Sequence, residues 1–326
     1  MPYKPTLSQV IDSTMMVTWR SCSMRHYYNF GLSLRPPSKS PDLVAGGALA
    51  AGCEGTRRGV FEKALDLPDA LAQGYEAFCA EWGTYEPPEG HQKSHVRTWG
   101  ALEHYFAHFP PLTDVVQPLI LPTGKPAIEF TFAIPLEPAI SLDEMRGRDL
   151  GQKLKEWPLH PDTNEPFILA GRFDMLATMQ GMTVIVDEKT TKAIGPKWAN
   201  QWELRNQFMT YCWACQHLGH DVHRAVVRGI AIQKTQYKLA TGLPEFAPHI
   251  LERWERQFRR DLWRMATAYR TGEFDFDFGD TCSSYGGCNY MSLCIALNPE
   301  KWMADYIIKP WDPLHKNPQK EEAKDD

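Results

Sequence analysis

Apolar and polar positions along this chain change their period several times. Phe167 to Met179 is dense in apolar and aromatic residues and predicts a strand. Gln180-Gly181 reads as a tight turn. Met182 to Val186 is a nearly continuous apolar run of mostly β-branched residues, as in a buried strand. Asp114 to Leu121, Ala127 to Pro135 and Val222 to Gln233 predict further strands. Helical patterns cover Leu7 to Phe30, Ala45 to Ala64, Asp66 to Glu81, His95 to Phe109, Trp198 to Gly219 and Ala247 to Tyr269. Leu136 to Pro166 is polar without a clear period and reads as an excursion before the central strand.

Charged residues interrupt the central hairpin. Asp174 lies on its first strand, and Asp187 and Lys189 end the second. Side chains alternate along a strand, so Asp187 and Lys189 point one way and Glu188 the other. With the right register Asp174 joins them, giving two carboxylates and one ammonium on one face. Hard oxygen ligands of this kind suit Mg²⁺ or Mn²⁺, which polarises a phosphoryl group and helps generate hydroxide. The lysine can orient or deprotonate water, or stabilise developing charge. A charged strand end facing water is the plain alternative for the stretch taken alone.

On the next helix Gln207 and Tyr211 are four apart and share a face. Gly171-x-x-Asp174, then Asp187-x-Lys189-Thr190, then Gln207-x-x-x-Tyr211 resembles the RecB-like branch of the PD-(D/E)xK nuclease superfamily. That branch holds the AddB nuclease domain and the CRISPR-associated RecB-like exonucleases. The resemblance implies metal binding by Asp174 and Asp187, a catalytic Lys189, and a Gln207/Tyr211 pair beside the active site and DNA. Ile128-Glu129-Phe130-Thr131-Phe132 is similar to the family's acidic strand, which makes Glu129 a further metal candidate. Gly46 to Glu54 fits the family's glycine-led helix, with one departure. Where many relatives have a metal-binding His, this chain has Ala50, with Glu54 nearby as a substitute.

The balance of 43% hydrophobic and 23% charged residues over 326 positions is that of a globular protein. No apolar run reaches the length of a membrane span, and the N-terminus lacks the core of a signal peptide, so the expected location is the cytoplasm without membrane association. The formal charge of -5 argues against a large DNA-coating role but allows a local basic cleft. Two stretches mix arginines into helices. Trp19 to Tyr28 could stack bases, although aromatics facing a core explain it better. The charges of the Ala247 to Tyr269 helix read as a solvated face whose arginines could also meet phosphate.

Three of the eight cysteines, Cys282, Cys288 and Cys294, are clustered, which in a reducing compartment points to metal rather than disulfides. Three thiolates need a fourth ligand. The family resemblance supplies it as Cys22, since cluster-containing RecB-like nucleases use one N-terminal and three C-terminal cysteines. A [4Fe-4S] cluster is expected, with tetrahedral zinc and unligated thiols as alternatives. The usual Cys-x2-Cys-x5-Cys spacing is replaced by two gaps of five, with Tyr285 at the missing position. Cys212 and Cys215, one helical turn apart, read as small buried residues.

The expected fold is α/β: a restriction-endonuclease-like core with a central mixed sheet flanked by helices, its helical N- and C-terminal elements joined by a metal cluster. A single domain is expected over 1–308, with a helical part to about 110, a core at about 111–235, a cysteine-rich part after it, and a disordered tail at 309–326. The expected activity is Mg²⁺- or Mn²⁺-dependent DNA cleavage, exonucleolytic on single-stranded or end-bearing DNA by family analogy. Any unwinding would need a helicase or recombination partner. An endonuclease and a non-catalytic DNA-binding subunit are the rival readings.

Overall fold

The computed structural model describes residues 5–146, 155–283 and 287–314. Its main elements in chain order are β1 (Val10–Ile11), α1 (Ser13–Ser21), α2 (Pro41–Lys63), α3 (Leu67–Trp82), α4 (His95–His108), β2 (Val116–Pro118), β3 (Ile128–Pro135), β4 (Ile168–Met179), β5 (Met182–Thr191), α5 (Asn206–His217), β6 (Val222–Ile232), β7 (Tyr237–Gly242) and α6 (Pro248–Thr271). The one domain expected from the sequence divides into two compact units. One comprises Met1–Ser38, Thr131–Gly171 and His249–Asp326, the other Lys39–Phe130 and Arg172–Pro248.

The second unit carries the sheet that holds the site. From Arg172 on, β4 pairs antiparallel with β5, β5 runs parallel to β6, and β6 is antiparallel to β7, while β2 adds to the free side of β4. The fold is therefore α/β with a mixed sheet flanked by helices, as expected. The β4–β5 turn falls on Gln180-Gly181, both with positive φ, the backbone that a two-residue hairpin of the primed type requires. β5 is longer than its apolar run, because pairing with β6 continues to Thr191. β7 was not expected, and it forms a hairpin with β6.

One face of this sheet is covered by α2 and α4. Leu49 and Cys53 of α2 and Leu102 and Phe106 of α4 pack on Ile230 and Ile232 of β6. Met175, Val184, Val186 and Val226 continue that core along the strands. On the other face Trp198 lies across Gly229, where a Cβ would sit 2.2 Å from the indole ring. Only glycine permits that approach. The helix expected over Trp198 to Gly219 is split into a 3₁₀ turn at Ala199–Trp202 and α5. The helices that flank the first face start on side-chain caps: Ser40 accepts from Asp42 N–H, Asp66 from Asp69 N–H and Ser94 from Arg97 N–H. Pro41 follows its cap directly, so α2 begins four residues before the predicted Ala45.

The first unit corrects the helix expected over Leu7 to Phe30. Val10 and Ile11 extend as β1 beside Ile168 and Leu169. Asp12 then caps α1, accepting from Met15 N–H at 2.8 Å. Cys22 is extended, ends α1, and accepts from Arg25 N–H at 3.4 Å to start a new turn at Ser23–His26. A π-helical stretch, Tyr27–Gly31, follows. Periodicity does not show the breaks at Asp12 and Cys22, because each is set by one side chain turned onto the backbone.

α6 lies in this unit. Its Asp261 accepts Arg20 Nε at 2.7 Å, and its Tyr269 hydroxyl is 3.0 Å from His26 Nδ1. The Leu136 to Pro166 excursion holds a two-residue parallel pairing, Ala139–Ile140 with Trp157–Pro158. The tail expected from Lys309 is ordered as far as Leu314. Lys309 N–H donates to Ser33 O at 2.8 Å and Trp311 Nε1 to Asp12 Oδ2 at 3.0 Å. The rest of that tail, 315–326, lies outside the described residues, as does Tyr285. No described helix is long and apolar enough to cross a membrane.

Candidate active site

Asp187 and Lys189 leave β5 on the same face, as alternation requires, and Lys189 Nζ lies 2.5 Å from Asp187 Oδ2. α5 packs on that face. Gln207 Nε2 donates to Asp187 Oδ1 at 3.1 Å and to the Tyr211 hydroxyl at 3.0 Å. The Tyr211 hydroxyl donates to the carbonyl of Arg172 at 2.9 Å, and its ring packs against Phe173. The Gln/Tyr pair thus ties β4 to the end of β5 across one helix face.

Asp174, on β4, accepts the backbone N–H of Glu188 at 2.7 Å. Burial pushes its carboxyl well above the usual range, and the neighbouring Asp187, Glu188 and Glu129 carboxylates push it the same way. Glu129 joins this acidic group from a left-handed backbone position at φ 52 and pairs with Arg172 Nε at 2.8 Å. Lys189 is partly buried, its side chain 30% exposed, and this disfavours its charge, but Asp187 and Asp174 outweigh the effect and raise its pKa. It is an ammonium at neutral pH. Such a group orients water and stabilises negative charge rather than taking a proton.

Glu188 points to the opposite face. There Arg57 of α2 grips it in a fork, Nη1 to Oε2 at 3.1 Å and Nη2 to Oε1 at 2.5 Å. The Tyr105 hydroxyl donates to Glu188 Oε1 at 2.7 Å. Burial alone would raise the Glu188 carboxyl, yet Arg57 and these hydrogen bonds lower it to about 2. Arg57 and Arg228 both donate to the Tyr105 oxygen, and Arg228 forks onto Asp114 at 2.5 and 2.8 Å. Lys93, also buried, reaches Thr190 Oγ1 at 3.1 Å and Asp42 Oδ1 at 3.0 Å. Arg57, Tyr105, Arg228, Asp114 and Lys93 were not singled out in the sequence. A signal existed for two of them. Arg57 continues the Leu49, Cys53 stripe at steps of four, and Arg228 interrupts the Val226, Ile230, Ile232 alternation. A charge in a core position needs a buried partner.

Glu54 is occupied by Arg58 at 2.9 Å. Ala50 is half-buried on α2 and offers no ligand. Among the described residues, no three His, Cys, Asp or Glu side chains are arranged to hold a metal ion. Mg²⁺ is usually held by one or two carboxylates, completed by water and substrate phosphate. Asp174 and Asp187 fit that pattern in number and hardness. The crowding that raises the Asp174 carboxyl is what a dication relieves.

Cys22, Cys282, Cys288 and Cys294 lie in the first unit. Burial raises the Cys294 thiol to about 12, and Cys22, Cys288 and Cys282 add to this. Cys282 is raised in the same direction, with Cys288 and Cys22 among the causes. Among the described residues these four cysteines form no grouping that could hold a metal ion. Cys212 and Cys215 are buried inside α5 as apolar residues.

The comparison with curated proteins gives no significant match. Among solved structures, SSO0001 is 11% identical with a TM-score of 0.35, over 89% of this chain and 88% of that one. A "Putative exonuclease" from Eubacterium rectale is 13% identical with a TM-score of 0.26, over 79% of this chain and 96% of that one. The family model described as the PD-(D/E)XK nuclease superfamily matches residues 14–295, most of the chain and all of the hairpin and α5. This chain belongs to the PD-(D/E)XK nuclease superfamily.

Proposed function

We propose that this nuclease-superfamily protein is a divalent-metal-dependent deoxyribonuclease of the RecB-like type, acting as an exonuclease on single-stranded or end-bearing DNA. The observation that carries the reading is the Lys189–Asp187 pair at 2.5 Å, with Gln207 on the other oxygen of Asp187. Asp174 and Asp187 would hold Mg²⁺ or Mn²⁺, with Glu129 beside them. The bound ion would polarise the phosphodiester and lower the pKa of a water. Lys189 would orient that water and stabilise charge on the phosphoryl oxygens. Gln207 would hold Asp187 in its rotamer, and Tyr211 would hold Gln207.

The test is cleavage of end-labelled single-stranded DNA with Mg²⁺, Mn²⁺ or EDTA, wild type beside Asp187→Ala and Lys189→Ala. Metal-dependent laddering lost in both variants is expected. Cutting of a closed circle would instead select the endonuclease reading. Ala50 and the unusual cysteine spacing favour a second reading as a DNA-binding subunit without catalysis. Tight DNA binding with no cleavage under any metal would select it.

We also propose a [4Fe-4S] cluster on Cys22, Cys282, Cys288 and Cys294. It rests on the clustering of three cysteines in the sequence and on the family resemblance that supplies Cys22. Tetrahedral zinc on the same sulfurs is the alternative. Iron and sulfide analysis with a visible spectrum under anaerobic conditions tests this, and a normal cluster in Cys22→Ala would reject that ligand. Action with a helicase or recombination partner belongs to the same reading and rests on the resemblance alone.

A further inference from the structure

α6 carries six arginines and three carboxylates within a chain of formal net charge -5. Its inner side buries Leu251, Trp254, Phe258 and Leu262. On its outer side Arg253, Arg256, Arg260 and Arg264 are all exposed. They follow one another at steps of three, four and four residues, so they form a single stripe. The stripe rises about 16 Å along the axis.

Charges of the other sign do not balance it. Glu255 is taken by Arg259, which also lies 4.6 Å over the Trp157 ring. Asp261 is buried against Arg20 and reaches Arg264 only at 3.8 Å, leaving that arginine's side chain 68% exposed. Glu252 is the single exposed carboxylate between Pro248 and Thr271. Among the described residues, Arg253, Arg256 and Arg260 make no ion pair. A helix face kept only for solubility is usually laced with alternating charges that pair at i,i+4. Apart from Glu252 near its start, the exposed charges of this face are all arginine, whose planar fork suits phosphate better than an ammonium. No aromatic side chain shares the stripe, so it is built for backbone rather than for bases.

We infer that the outer face of α6 is a track for the phosphate backbone of a nucleic-acid strand, held without regard to sequence. The inference rests on the deoxyribonuclease reading and extends it to a surface in the other unit. The steps along the stripe, about 4.5 to 6 Å, are comparable to the distance between successive phosphates of a strand.

The experiment measures anisotropy of a labelled 30-nucleotide single strand in EDTA across a NaCl series. The full chain is compared with Arg256→Gln/Arg260→Gln and with Arg256→Lys/Arg260→Lys, with circular dichroism melts to show that each folds. Each lost phosphate contact should lower the salt slope by about 0.7 for single-stranded DNA, so the Gln pair should lose about 1.4. Affinity at low salt should fall about tenfold or more, while the Lys pair keeps most of the slope. An unchanged slope in the Gln pair, with wild type binding DNA, overturns the track and leaves the nuclease reading standing. Wild type that neither binds nor cuts DNA removes both. A phosphatidylserine-vesicle arm separates membrane from nucleic acid. Vesicle binding lost in the Gln pair with DNA binding intact overturns the inference.

Discussion

The backbone N–H of Glu188 donates to Asp174 Oδ2 at 2.7 Å, while the Glu188 side chain is clamped by Arg57 on the opposite face of the sheet. A buried ion pair on one face therefore fixes the peptide that holds an acid on the other. Arg57→Ala leaves Glu188 buried without its countercharge, a loss of about 3–5 kcal/mol. Urea unfolding should show it directly. Any activity that survives should fall further than stability alone explains, because Asp174 loses its anchor.

Gln207 and Tyr211 separate by the same logic. Tyr211→Phe keeps the ring on Phe173 and removes one hydrogen bond to Arg172 O, about 1 kcal/mol. Gln207→Ala releases Asp187 itself. We expect a modest loss of kcat in the first variant and a loss of at least tenfold in the second, with little change in Tm for either. Equal losses would mean that Gln207 does not hold Asp187.

Gly229→Ala should destabilise the second unit. Its Cβ would meet the Trp198 ring at 2.2 Å, closer than packing allows, so the indole or β6 must shift. Overpacking of this kind costs about 1–3 kcal/mol. A thermal melt and tryptophan fluorescence would follow it, and Gly229→Ala/Trp198→Ala should recover part of the loss.

Acid sensitivity should come in part from His26. Burial lowers its pKa from 6.5 to about 3, so the native imidazole stays neutral while the unfolded one protonates. Its contribution to stability is complete above about pH 6.5 and is lost as the pH falls towards 3. By pH 4 the loss is on the order of 2–3 kcal/mol. In His26→Gln the slope of Tm against pH between 4 and 6.5 should flatten. An unchanged slope would assign the acid limb to other groups.

The hairpin was legible in the sequence because strand alternation is a local rule. Placing Asp187 with Lys189 and Glu188 apart needed only a period of two, and placing Gln207 with Tyr211 needed only a helical turn. The break in the first helix was not legible, since Asp12 and Cys22 act by hydrogen bonds that leave no mark on hydrophobic periodicity. Nor was β7, a short run whose Tyr237 and Leu239 pack on the core once it pairs with β6. The chain by itself determined the central hairpin, most of the helices and the faces of Asp187, Glu188 and Lys189. Tertiary structure decided which charges meet. Arg57 and Glu188 are 131 positions apart, and Arg228 and Asp114 are 114 apart. Pairing over such separations follows from helix and strand packing, because burying a charge is tolerable only where another element brings its partner.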